Sequence, residues 1–211
     1  MRNRTYAVAL TGLLLGSAFS TTQAQVVDQS NFGPNQGSTW AYFWWGQTFR
    51  PSANTSVGGG FLIGSVRNAV TGTMTVELWS DVASHSGATK LASGSTPFSL
   101  GANSQFAVFD VFWSAVAVTP GAQYFLAMIA PGSDQTQLQF TPDSYAGGGA
   151  WGGGGSSTGP YSDLSPYYDL NFREFAATPT TTTPEPASLA LVATGLAGLV
   201  GVARRRRKRI G

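Results

Sequence analysis

The sequence predicts an all-β fold, an antiparallel and jelly-roll-like β-sandwich, with an N-terminal signal peptide helix and a C-terminal transmembrane helix. Three observations carry this. Residues 25–177 fall into short runs of alternating or wholly apolar side chains separated by Gly, Pro, Asn and Ser, with no sustained helical period. Residues 1–24 join a basic start to an apolar stretch, and residues 187–203 form a second apolar stretch that ends in cations.

At the N-terminus, Arg2 and Arg4 form a positive segment, Tyr6 to Phe19 an apolar one, and Thr22-Gln23-Ala24 a small-x-small cleavage site, so cleavage is expected after Ala24. An uncleaved anchor fits less well, because polar Ser20 to Gln25 follows directly. Within the body, Thr73 to Leu78, Gln137 to Phe140 and Tyr168 to Arg173 alternate polar with apolar, as strands with one covered face do. Phe61 to Ile63, Phe106 to Trp113 (interrupted by Asp110) and Tyr124 to Ile129 are apolar enough for strands covered on both faces. Turn residues at Gly58-Gly59-Gly60, Val70-Thr71-Gly72, Gly101-Ala102-Asn103 and Pro120-Gly121 separate them, and the spacing predicts about eight strands. The Gly-rich stretch 147–155 reads as a long mobile surface loop. Segments within residues 50–130 also resemble β-sandwich domains carried by anchored bacterial surface proteins, a likeness that speaks to fold only.

After the sandwich, 178–183 is a Thr/Pro linker, an extended stalk with no large apolar residue. Residues 187–203 are uniformly apolar and would cover roughly 26 Å as a helix, just short of a hydrocarbon core. Arg204 to Arg209 place the C-terminal end in the cytoplasm and everything upstream outside. Between stalk and span stands Pro184-Glu185-Pro186, which cannot enter a helix interior and is therefore held extended at the outer membrane surface.

Pro-Glu-Pro, an apolar span and an Arg-rich end, in that order at 184–209, resemble the PEP-CTERM sorting signal of exported proteins in Gram-negative bacteria that make exopolysaccharide. The resemblance implies recognition of Pro184, Glu185 and Pro186 by an exosortase, an integral membrane cysteine transpeptidase that removes the span and basic tail. It also implies passage through the secretion machinery, a membrane-anchored precursor, and a mature form at the cell surface or in the biofilm matrix. The catalytic groups of that processing belong to the partner.

Charge supports the same division. The chain has 12 basic and 10 acidic residues, a net +2, yet eight of the bases sit in the two ends. The body holds four bases (Arg50, Arg67, Lys90, Arg173) against nine acids (Asp28, Glu77, Asp81, Asp110, Asp134, Asp143, Asp163, Asp169, Glu174), a balance of −5. That balance disfavours nucleic acid as a partner. Absence of Cys excludes disulfides, thiolate metal sites and a cysteine nucleophile.

No catalytic residue, cofactor or metal site is expected. His85 is the only histidine and lies in a predicted turn; Gly155-Ser156-Ser157-Thr158-Gly159 matches a nucleophile-elbow pattern only in composition. Glu77 and Asp110 interrupt apolar strands and are the acids to weigh for a secreted glycan hydrolase, but both are expected on solvent-facing sides or edges. Asp134, Asp143 and Asp163 carry loop oxygens suited to Ca²⁺, without regular spacing. Aromatics give the strongest ligand lead. Trp44, Trp45, Trp151 and Tyr167 are candidates to stack on sugar rings of an extracellular polysaccharide, which would make the body a carbohydrate-binding module. Trp44 and Trp45 are consecutive, so an extended backbone turns them to opposite faces.

Overall fold

A computed structural model describes residues 25–41, 44–103, 106–130, 136–153 and 156–178. The expected signal peptide with Ala24, the expected linker beyond Thr178, the motif Pro184, Glu185 and Pro186, the expected span 187–203, the basic tail and Asp134 lie outside the described residues. The described residues are all-β and contain no helix. In chain order the strands are β1 (Gln25–Asn31), β2 (Gly37–Trp40), β3 (Trp45–Phe49), β4 (Thr55–Ser65), β5 (Val70–Trp79), β6 (Lys90–Leu100) and β7 (Phe106–Ala117). They continue with β8 (Tyr124–Ile129), β9 (Thr136–Pro142), β10 (Ala150–Gly152), β11 (Ser162–Asp163), β12 (Tyr168–Leu170) and β13 (Phe172–Ala177).

These strands form two antiparallel sheets. One is seven-stranded, with β1-β13-β4-β9-β12 in order and with β7 on β4 and β2 on β9. The other is six-stranded in the order β11-β10-β3-β8-β5-β6. The run Tyr168 to Arg173, which reads in the sequence as one strand, is divided at Asn171. Before it, β12 pairs with β9; after it, β13 pairs with β4.

The core lies between the sheets. Phe61, Ile63, Leu138, Leu170 and Phe172 enter it from the first sheet, and Phe49, Met74, Leu78, Leu126 and Met128 from the second. Period-two alternation fixes who faces in. Along β8, Leu126 and Met128 point inward, whereas Phe125 and Ala127 belong to a separate outer cluster with Trp79, Val82, Ala83 and Tyr161. Residues 80–89 and 156–161 cover that outer cluster. This is why β8 is buried on both faces and reads as a continuous apolar run.

Polar groups on buried strands are committed to partners. Glu77, expected toward solvent, is buried, accepting from Trp79 Nε1 at 3.0 Å and pairing with Lys90 Nζ at 2.9 Å. On the outer face of the first sheet Asp110 pairs with Arg173, the guanidinium Nε donating to Oδ1 at 2.7 Å. The pair spans Gly60, whose hydrogen leaves room that a Cβ, 2.2 Å from Asp110 Oδ1, would take away. In β1 the register shifts at Asp28, and this bulge turns its carboxylate to the Ser52 and Ala53 N–H groups at 2.8 and 3.3 Å. Burial works to raise the Asp28 carboxyl, but the hydrogen bonds from Ser52 and Ala53 outweigh it and hold the group below its usual range.

Glu174 is the exception. It is fully buried within β13, its carboxylate oxygens make no well-formed hydrogen bond among the described residues, and Ser56 and Asp28 are its polar neighbours. Burial pushes its carboxyl up to about 8, the Ser56 hydroxyl working against that rise and the nearby Asp28 adding to it. The folded protein therefore keeps this proton to about pH 8, whereas an unfolded chain releases it near the ordinary glutamate value of 4.5. Stability from this group is complete below pH 4.5 and is lost as pH rises toward 8. Thermal unfolding of Glu174→Gln should show a flatter pH dependence than the parent between pH 5 and 8. At pH 8 the variant should unfold at a temperature higher by several degrees, for a difference on the order of a few kcal/mol. Parallel curves for the two proteins would contradict the burial of a protonated Glu174.

Candidate functional site

The outer face of the second sheet holds an open concavity. Strand β3 turns Trp45, Gln47 and Phe49 inward and Thr48 outward; β10 pairs with β3 and turns Ala150 inward and Trp151 outward. Beside Trp151 an open cleft of about 410 Å³ is lined by Thr48, Arg50 and Gln123 together with Asp143, Tyr145 and residues 146–149. Asp163 and Ser165 complete the wall next to Trp151.

A buried carboxylate builds the loop that forms this cleft. Asp169 of β12 is fully buried and accepts from the Ser144 and Tyr145 N–H groups, both at 2.8 Å, and from Gln47 Nε2 at 2.8 Å. Gln47 cannot turn its amide around, because its Oε1 accepts from Leu170 N at 2.8 Å. Farther along the loop, Gly149 N donates to Thr48 Oγ1 at 2.8 Å while Thr48 N donates to the Gly149 carbonyl at 3.0 Å. Tyr145 donates its hydroxyl to Gln29 Oε1 at 2.9 Å. Burial raises the Tyr145 phenol, the Arg50 N–H bond works against that rise, and the Asp28, Glu174 and Asp169 charges add to it, so Tyr145 serves as a neutral donor.

Gly148, Gly149 and Gly152 are closely packed, which corrects the expectation of a mobile loop across these positions. A Cβ on Gly148 would lie 2.0 Å from the Thr48 carbonyl oxygen, and one on Gly152 would lie 2.0 Å from the Trp45 ring. Glycine appears in this stretch because backbone and indole approach it too closely for any side chain.

The four aromatic candidates are not brought together. Trp45 is only 9% exposed and stands edge-on to Phe140 at 5.5 Å in the core, so its indole is a packing element, a correction to its place among the stacking residues. Trp44 leans half-buried on the outer cluster, as consecutive positions on an extended chain require. Trp151 borders the cleft, with His85 edge-on to its ring at 5.5 Å. Tyr167 is 71% exposed in a turn outside the cleft lining, beside Tyr168. His85 is half-exposed and held to Asp81 by Nδ1 at 3.1 Å. Ser156, Ser157 and Thr158 form a turn whose Ser156 and Thr158 hydroxyls meet at 3.1 Å, without the helix that a nucleophile elbow needs.

Sequence reasoning missed Arg50, Gln123 and Tyr145 as cleft residues, since each sits at a strand end or in a loop with no motif around it. Asp143 and Asp163, weighed as Ca²⁺ ligands, do meet at the cleft. Among the described residues no group of three His, Cys, Asp or Glu side chains is placed to hold a metal ion.

The described residues thus define an antiparallel two-sheet β domain with a polar cleft beside a tryptophan. Its wider setting comes from comparison with known families, in which residues 182–208 match the PEP-CTERM protein-sorting motif. The chain carries this motif, which marks an exported, membrane-anchored precursor and makes an exosortase its processing partner. No curated protein matches the chain.

The Asp169 node makes a direct prediction. Asp169→Asn presents an amide N–H₂ where only N–H donors converge, so it should destabilise the domain by about 2–3 kcal/mol. Thermal unfolding should register this as a lowering of roughly 5–10 °C, and hydrogen exchange should show faster exchange at Ser144 and Tyr145. Unchanged protection of those two amides would remove Asp169 as the anchor of the cleft loop.

Proposed function

We propose that this protein is an exported surface or exopolysaccharide-associated β-sandwich, held by residues 187–203 as a membrane span with its C-terminus cytoplasmic and then released or transferred by an exosortase acting at Pro184, Glu185 and Pro186. The observation that carries the reading is the three-part C-terminal arrangement within the matched motif. A structural fact agrees with it. Gln25, the first residue after the expected signal cleavage at Ala24, pairs directly with Ala177, the last residue of β13, so both membrane-directed segments leave the sandwich from one place.

The body is proposed to be non-enzymatic. Glu77 and Asp110, the acids that a hydrolase reading singled out, are occupied by Lys90 and Arg173. A second reading, a carbohydrate-binding module of the matrix, is favoured by one observation, the polar cleft beside Trp151.

The sorting reading is checked by mass spectrometry of the protein recovered from cells with and without exosortase. The expected result is a mature species lacking the residues after the motif in the first strain only. Pro184→Ala with Pro186→Ala should leave the C-terminus intact in both strains. An identical C-terminus in parent and variant in the strain that has the exosortase would overturn it.

A further inference from the structure

Resting on the carbohydrate-binding reading, we propose that the cleft beside Trp151 is a binding site for a saccharide free of carboxylate and sulfate groups. Three features of the cleft select that class. Trp151 supplies an aromatic edge on a strand, its ring contacted edge-on by His85, and a flat ring of this kind suits the apolar face of a pyranose. Asp143 and Asp163, both exposed, face the same space, and carboxylates accept strong hydrogen bonds from pairs of sugar hydroxyls. Arg50 and Gln123 in the same lining add donors, and the Arg50 guanidinium is steadied by donating Nη1 to the Gly121 carbonyl at 2.8 Å.

The sign of the charge decides between saccharide classes. Two carboxylates against one guanidinium leave the lining net negative, and the body as a whole has more acids than bases. An acidic polysaccharide would bring its own carboxylates against Asp143 and Asp163, where like charges in close juxtaposition oppose binding, and would be repelled on approach. Hydroxyl-rich, uncharged rings meet no such opposition. The site is also built before any ligand arrives. The loop that forms its floor is tied through Ser144 and Tyr145 to Asp169 and through Gly149 to Thr48, so little ordering is left to oppose binding.

The test uses the full chain purified from cells that export it, titrated with maltohexaose, cellohexaose and mannohexaose as neutral probes and with hexagalacturonate as the acidic one, read by tryptophan fluorescence and calorimetry. At least one neutral hexasaccharide should bind and hexagalacturonate should bind more weakly or not at all. Asp143→Asn and Asp163→Asn should each weaken the neutral ligand by roughly tenfold or more, as should Trp151→Ala, while Tyr167→Ala, outside the cleft, should not. Because Trp151 also covers the outer cluster, the two Asn variants carry the test if Trp151→Ala unfolds. Tighter binding of hexagalacturonate, neutral binding unaffected by both Asn variants, or no binding of any neutral probe overturns the proposal. Matrix association is read separately, by co-fractionation of the parent with the polysaccharide of its own cells. It fails only if the protein is absent from that fraction, so the two failures are distinguishable.

Discussion

The buried Asp169 carboxylate is the constraint on which the arrangement of this domain turns. An unpaired carboxylate out of water costs several kcal/mol, and one without a cation nearby must be satisfied by N–H donors alone. Three converge on Asp169 from different parts of the chain, the Gln47 amide of the second sheet and two successive backbone groups of the loop after β9. A strand of the first sheet, a strand of the second and the cleft loop are thereby bound to one side chain. The network extends outward. Thr141 Oγ1 donates to the Asp169 carbonyl at 3.3 Å and accepts from Asn31 Nδ2 at 2.8 Å, and Asn31 accepts from Ser144 Oγ at 3.2 Å. Each member holds its neighbour's orientation, so loss at one point is felt along the chain of bonds.

Fixing the loop in this way explains the glycines that follow it. Once Ser144 and Tyr145 are held, residues 147–152 must run close along β3 to reach the pairing of Ala150 with Gln47. At Gly148 the neighbouring carbonyl, and at Gly152 the Trp45 indole, occupy the volume of a side chain. What composition presents as a disordered tract is the thin part of a packed layer, thin because a large aromatic lies beneath it.

How much of this could be read from the sequence follows from the same physics. Strand positions along β5, β8 and β9 were legible because alternation marks a covered face, and the opposite turns of Trp44 and Trp45 followed from extended geometry alone. Alternation does not say whether the second face is covered as well. Residues 80–89 close over the outer face of the second sheet, so Glu77 is buried where a one-sided reading puts it toward water, while the unbroken apolar run of β8 already marks Phe125 as covered. The burial of Asp169 and Glu174 was equally invisible, since a carboxylate in a strand reads as solvent-facing until its donors, far apart in sequence, are known. Asn171 hid the change of partner between β12 and β13 because the side-chain pattern runs through it unbroken. The cleft was half legible. Trp151 stood out by residue type and Asp143 and Asp163 by loop chemistry, but nothing local joined them to Arg50, some ninety residues upstream of Asp143.

The ends of the chain and the cleft are related through one region of the sandwich. Gln25 and Ala177 sit opposite each other, and Asp28 in the same strand binds Ser52 and Ala53, directly after Arg50. Gly121, which accepts from Arg50, is itself joined to Pro51 by its backbone N–H at 2.8 Å. The Arg50 wall of the cleft therefore belongs to the end of the sandwich from which both termini depart. Under the proposed topology, residues 178–186 reach at most about 30 Å when fully extended. A tethered precursor would then hold the Gln25–Ala177 end of its sandwich within that distance of a bilayer, where the approach of a long polysaccharide chain is restricted, and a processed molecule would be free of that constraint. Under the proposed topology the short stalk between Ala177 and Pro184 would therefore couple tethering to access.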